Sequence, residues 1–210
     1  MKNFSYIIVL CCSSLLFGSN RAQEAGVPTV GNPALRRELI KRVKQDQAIR
    51  NELISKGIEH PDKSILARMH AIDVSNTKHV RAIIHKYGWP GPELVGPDGT
   101  EAAFFIVQHA DLAFQKEVLP LVEKAYKSGK LSGQSYALLL DRVLVGEAKP
   151  QVYGTQAKRI EEWNGREPVL EPIEDEANVD NRRAKVGLSP LSEYRELLKR
   201  IYFPQGKGKP

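Results

Sequence analysis

The chain has 210 residues, 41% hydrophobic and 27% charged, a composition that fits one ordinary globular domain and excludes a low-complexity or fibrous chain. The formal charge is +6; without Lys2 and Arg21 the remaining 29 basic and 25 acidic residues leave +4, scattered and without a long basic run. Nucleic-acid binding needs a clustered basic footprint, so nucleic acid is set aside as a partner.

Residues 1–22 read as a secretory signal peptide. Lys2 is the positive start, residues 6–17 are an apolar run too short to span a bilayer with ease, and Ala22 before Gln23 is the expected cleavage point. The mature chain is therefore expected to be exported, to the periplasm or the extracellular space, with no membrane span after removal of the leader. Cys11 and Cys12 both lie in that leader, which leaves the mature chain without a disulfide, a thiolate nucleophile or a cysteine metal site. Residues 23–32 read as a polar linker.

Asn32 and Pro33 open the first helix, Asn as its cap and Pro at the first helical position, and Gly57 closes it. Its apolar stripe is Leu35, Leu39, Val43, Leu53 and Ile54, interrupted by Asp46, Gln47 and Arg50. Asp46 and Arg50 have the i, i+4 spacing of an ion pair, and the stripe is wide enough to leave that pair either in the core or in water. A second helix is predicted over residues 63–86 with Asp62 as cap. Its stripe, Ile65, Met69, Ile72, Val80, Ile83 and Tyr87, carries Asn76, with Asp73 beside it. His70, His79 and His85 are not paired at i, i+4, so no helical metal clasp is expected and the surface is their default place.

Residues 87–99 are dense in Gly and Pro and read as a loop, in which Trp89 either plugs the helix ends or walls a ligand site. A third helix is predicted from a cap at Asp98 or Thr100 to Tyr126, kinked or interrupted at Pro120. It carries the apolar run 102–107, which meets Gln108, His109 and Asp111 without transition. The fourth helix, residues 134–145, is apolar on almost every side and must be buried. Its polar interruption is Asp141 and Arg142. Adjacent helical residues point about 100° apart, so these two are expected to bond different partners.

Beyond Gly146 the pattern turns extended over residues 149–156. Asn164-Gly165 signals a two-residue hairpin, with 168–173 as a return strand confined to an edge by its prolines and 158–162 as an alternative helical turn. A short helix ends at Gly187, Ser189-Pro190 opens a last helix over 191–201, and residues 203–210 form a basic tail expected to be disordered. The fold class is mainly α: a compact helical bundle, residues 33–202 as a single domain, with a small β-hairpin or extended segment near the C-terminal third.

Four predicted helices thus each carry a polar interruption beside an apolar face: Asp46/Gln47/Arg50, Asp73/Asn76, Gln108/His109/Asp111 and Asp141/Arg142. Buried polar groups must answer one another, so a shared polar cluster inside the helical core is expected. Read together with Gly88-Trp89-Pro90-Gly91, Gln108-His109-Ala110-Asp111, Asp141-Arg142, Lys149-Pro150-Gln151-Val152-Tyr153-Gly154-Thr155-Gln156 and Arg182-Arg183-Ala184-Lys185-Val186-Gly187-Leu188, the chain resembles the bacterial family called domain of unknown function 6624. The resemblance runs from about residue 35 to 198. It implies that these motifs form one set, and it brings no activity, cofactor or catalytic residue. Ala148 stands where the family leads one to expect glycine.

Two functions follow. In the first, a binding or structural module takes a small molecule, peptide or protein, with the cluster fixing helix register and Trp89, Tyr153 and Trp163 as contact surface. In the second, a hydrolase-like enzyme uses His109 as general base, oriented by Asp141 or Asp46; Arg50 or Arg142 holds an anionic group, and Tyr153 and Gln156 line the mouth. Arg and His in helices are more often structural than catalytic, which places the module first. No cofactor and no metal site are expected.

Overall fold

The structure, a computed structural model, describes residues 30–57 and 61–203. The leader, most of the linker and residues 204–210 of the tail lie outside them. The described residues form seven α-helices: α1 Pro33–Lys56, α2 Lys63–Tyr87, α3 Pro92–Gln108, α4 Leu112–Lys127, α5 Gly133–Gly146, α6 Val179–Lys185 and α7 Leu191–Tyr202.

The first two helices start where their cap residues predict. The Asn32 side chain accepts the Leu35 N–H at 3.0 Å and Asp62 accepts that of Ser64 at 2.7 Å, each satisfying one orphan donor of a first turn. Helix α3 is the axis of the bundle and packs against α1, α2, α4 and α5. Its Phe104, Ile106 and Val107 meet Leu39 of α1, Val80 of α2, Phe114 and Val118 of α4 and Leu139 of α5 in one continuous core. Each such side chain, fully buried, contributes roughly 1.5–3 kcal/mol.

Helix α3 departs from expectation at both ends. It begins at Pro92, inside the expected loop, and turns sharply at Gly96, whose φ of 73° belongs to the left-handed region that glycine adopts without strain. Asp98 is not its cap. Its carboxylate receives Nε and Nη2 of Arg36 at 2.8 and 2.7 Å, while the Thr100 hydroxyl donates to the carbonyl of Pro90 at 2.9 Å. At the other end, the long helix expected to reach Tyr126 breaks at residues 109–111. Asp111 accepts the Phe114 N–H at 2.9 Å and so caps α4; it is exposed and stands apart from the polar cluster. Gln115 secures the break by donating to the Gln108 carbonyl at 3.0 Å. Pro120 sits within α4, on its exposed side.

Helix α5 ends in a Schellman turn, with Lys149 N–H on the Leu144 carbonyl and Ala148 N–H on that of Val145, both at 2.9 Å. This turn places Ala148 at φ 58°, a left-handed conformation at the position where glycine is expected. Past it, among the described residues, there is no β-hairpin. Isolated bridges pair Gln151 with Ile173, Ala157 with Leu170 and Asn164 with Glu167, and residues 160–162 form a 3-10 turn. The Asn-Gly turn forms, but side-chain bonds replace the ladder. A second apolar cluster, Ala157, Trp163, Leu170, Val179, Leu191 and Leu198, gathers α6, α7 and this extended segment. Trp163 is buried there, donating Nε1–H to the Lys158 carbonyl at 2.8 Å, which removes it as contact surface. A third cluster joins Ile49 and Leu53 of α1 to Ile65 and Met69 of α2, with Tyr202 of α7 against it.

Candidate functional site

Two buried carboxylates organise the polar interior. Asp46 faces α2 and α3 from the middle of α1 and is fully buried. Its Oδ1 receives Arg50 Nη1 at 2.7 Å, its Oδ2 receives Gln47 Nε2 at 2.8 Å, and His109 Nδ1 lies 3.0 Å from it. Arg50 reaches on with Nη2 to Asp73 of α2 at 2.8 Å. Of the two alternatives left open for Asp46 and Arg50, the structure adopts the buried one. The break after α3 turns His109 toward Asp46, because His109 is itself the C-cap of that helix.

The electrostatics follow from burial. Desolvation pulls the His109 pKa down to about 4, against the pull of Asp46, so the ring is neutral at pH 7. A neutral ring facing a carboxylate donates Nδ1–H, which leaves Nε2 with its lone pair. Burial pushes Asp73 up to about 6, opposed by Arg50 and assisted by the neighbouring Asp46. For Asp46 burial acts upward too, but His109 and Arg50 outweigh it and hold the carboxyl below its usual range.

Beside this group lies Arg142 of α5. Its Nε donates to Gln108 Oε1 at 2.9 Å, and it has no carboxylate partner among the described residues. Burial lowers its pKa to about 10, and its charge acts on the His109 ring. Gln108 Nε2, His109 Nε2 and Arg142 Nη2 are all buried without a hydrogen-bond partner.

Asp141, one residue before Arg142, points elsewhere. Its Oδ1 accepts the N–H groups of Val152 and Tyr153 at 2.8 and 3.0 Å; its Oδ2 accepts the N–H and hydroxyl of Thr155 at 3.0 and 2.9 Å. Burial raises its carboxyl, opposed by those donors. With both oxygens accepting, Asp141 holds the 152–155 loop. The partner of His109 is Asp46. Gln156 belongs to the same knot: it is buried, its N–H goes to Gln151 Oε1 at 2.8 Å, and its amide donates to the Thr155 hydroxyl at 3.0 Å. Tyr153 supplies its backbone to Asp141 and to Arg183 Nη1, at 2.7 Å for the latter. Asn76 faces Arg42 at 3.3 Å, and Trp89 packs half-buried on the main core with its Nε1 unpartnered.

Residues 33–207 match the family of unknown function DUF6624. The chain belongs to this family. No curated protein and no solved structure matches it. Of the motifs that carried the resemblance, Gln108 and His109 lie with Arg142 beside Asp46, Asp141 holds the Lys149–Gln156 motif together with Arg182-Arg183, and Gly88–Gly91 sits at the start of α3, its Pro90 carbonyl accepting the Thr100 hydroxyl.

Sequence reading gave no role to four residues, two of which, Gln151 and Arg183, lie inside its motifs. Arg183, 1% exposed, donates Nε to the Ser189 carbonyl at 2.6 Å, and its Nη1 bond to the Tyr153 carbonyl ties α6 to the Asp141 knot. Asp180 accepts the Leu191 N–H at 2.7 Å and starts α7; Gln115 and Gln151 serve as surrogate backbone partners. The structure also assembles Asp46, Asp73 and His109 with potential ligand atoms all within 4.8 Å of one another, from three helices and with no local spacing to announce them. Arg50 already supplies a cation bonded to both carboxylates. A metal ion would have to displace that guanidinium, so the donor set does not fit one well. Among the described residues, no helix is long and apolar enough to cross a membrane.

Proposed function

We propose that the chain is an exported binding module that seats a small polar ligand against Gln108, His109 and Arg142. The observation that carries this reading is the trio of buried, unpartnered atoms in these neighbouring residues, Gln108 Nε2, His109 Nε2 and Arg142 Nη2. Each orphaned buried group costs roughly 1–3 kcal/mol. A ligand that bonds them recovers that cost, whereas a purely structural network gains nothing by retaining it. Export rests on the leader pattern of residues 1–22.

Native mass spectrometry of protein purified without denaturation tests the reading, together with the 15N resonance of His109 Nε2. The expected result is a retained or titratable small molecule that moves that resonance. An ordered water bridging these atoms, with no compound able to displace it, would overturn the reading. Sequencing the N-terminus of the secreted product checks export, with a start near Gln23 expected.

A second reading is favoured by one observation. The Asp46–His109 dyad leaves a neutral imidazole with a free Nε2, the state a general base requires. A hydrolase-like enzyme would then use His109 as base and Arg142 as anion holder. Turnover of an ester or amide panel that disappears in a folded His109→Gln variant would support it.

A further inference from the structure

We infer that the outer ridge of α1 is a docking surface for an acidic peptide segment of a protein partner, held by Arg37, Lys41 and Lys44. The ridge lies across the helix from Asp46 and is independent of the binding reading above.

Helical spacing assembles the ridge. Residues 37, 41, 44 and 48 share one face of α1, because steps of three and four return to the same side. That face is turned away from the core: Leu39, Asp46 and Leu53 are buried, whereas Arg37, Lys41, Lys44 and Ala48 are exposed. The cations look scattered along the sequence, yet with Ile40, Gln45 and Ala48 they line one open groove. Arg37 and Lys44 stand roughly 10 Å apart along the axis, at about 1.5 Å of rise per residue.

Their charge is unanswered. The arginines on the two flanks of α1 are matched, Arg36 by Asp98 at 2.7 Å and Arg42 by Glu38 at 3.1 Å. Between them, Arg37, Lys41 and Lys44 have no carboxylate partner among the described residues, and no carboxylate lines the groove. Solvated cations of this kind add little to stability. Gathered with one sign on one ridge, they raise the local potential and steer an oppositely charged partner.

The shape selects the partner. A groove this open cannot enclose a small anion, which a pocket must bury over most of its surface. A lipid surface is held by apolar wedges as well as by charge, and the exposed large hydrophobics among the described residues, Val74 and Tyr87, both belong to α2. A nucleic acid asks for a wider basic footprint or for stacking side chains, and the groove has no aromatic residue. A peptide with carboxylates one helical turn apart matches the spacing of the cations, and its apolar side chains can rest on Ile40 and Ala48.

The test follows the fluorescence anisotropy of a labelled helical peptide, glutamate at i, i+4 and i+7 on an alanine background, as the mature protein is added at low and at physiological salt. The expected result is saturable binding that weakens with salt, and no binding of the same peptide with lysine for glutamate. Lys41→Glu weakens binding about tenfold. Lys124→Glu, the reversal of an exposed cation of α4, leaves it unchanged. Both positions are exposed, so both variants fold. Equal losses from the two reversals overturn the inference, because net charge and not the ridge is then responsible. Tighter capture by phosphatidylglycerol vesicles or by a single-stranded DNA oligomer, lost in Lys41→Glu, overturns it in favour of those surfaces. Self-association lost in the same variant assigns the ridge to a second copy and overturns it as well. Absence of acidic-peptide binding at low salt ends it.

Discussion

Asp46 and Asp141 are the same residue, equally buried, each in the middle of a helix, and the protein treats them in opposite ways. Asp141 is answered by three backbone N–H groups and a hydroxyl from one short loop, and both its oxygens are filled. Asp46 is answered by side chains from α1 and from the end of α3; unbonded buried atoms lie on both sides, Gln108 Nε2, His109 Nε2 and Arg142 Nη2 near Asp46 and Gln156 Oε1 near Asp141. A carboxylate satisfied by backbone fixes a chain path, because those amides cannot be supplied another way. A carboxylate satisfied by an imidazole fixes a tautomer and passes polarity outward to the free ring nitrogen. The first region is architecture; the second is where the proposed binding function would act.

The largest test of this contrast is Asp141→Ala. It strands three amides and a hydroxyl in the interior, and the expected loss is about 3–5 kcal/mol in denaturant unfolding, with the 151–156 loop exposed to proteolysis. His109→Ala should cost less, on the order of 1–3 kcal/mol, since Asp46 keeps Arg50 and Gln47. If His109→Ala costs as much as Asp141→Ala, the two regions are alike and the contrast fails.

The pH dependence sharpens it further. His109, near 4 in the folded chain against 6.5 unfolded, contributes stability that is fully present above pH 6.5 and is lost as pH falls toward 4. Asp73, near 6 against 3.8, has the opposite sign: it gains stability as pH falls from 6 toward 3.8. The two nearly cancel, so the Asp46 region of the native protein should show a flat stability profile between about pH 6 and 4. Asp73→Asn removes one side of that balance. Its stability should fall by on the order of 3 kcal/mol between pH 6.5 and 4, measured by urea unfolding at each pH. A variant as flat as the native protein would count against the neutral state of His109. The smallest effect belongs to the Asp141 side: Ala148→Gly relieves a left-handed alanine after α5 and should stabilise by about 0.5–1 kcal/mol, seen as a modest rise in Tm.

Helix existence was legible in the sequence because periodicity and caps are local signals; Asn32, Pro33, Asp62 and Gly57 mark α1 and α2 almost to the residue. The divergence of Asp141 and Arg142 was legible for the same reason, since helix geometry alone dictates it. The break at residues 109–111 was hidden by apolar positions that continue across it, and its one signal was Asp111 three residues before Phe114. The hairpin expectation failed where Gln151 and Arg183 bond the backbone directly, a long-range device that leaves no period. Convergence of Asp46, Arg50 and His109 could be inferred from the cost of burying polar groups. Which carboxylate takes the histidine could not, because it depends on how far α3 extends before it breaks.

One turn of α5 carries both Asp141 and Arg142, so the two buried carboxylate regions share one stretch of backbone. The amides of Val152, Tyr153 and Thr155 lie in a loop, yet each is bonded to the buried Asp141 carboxylate, and their protons should exchange with solvent as slowly as those of a helix interior.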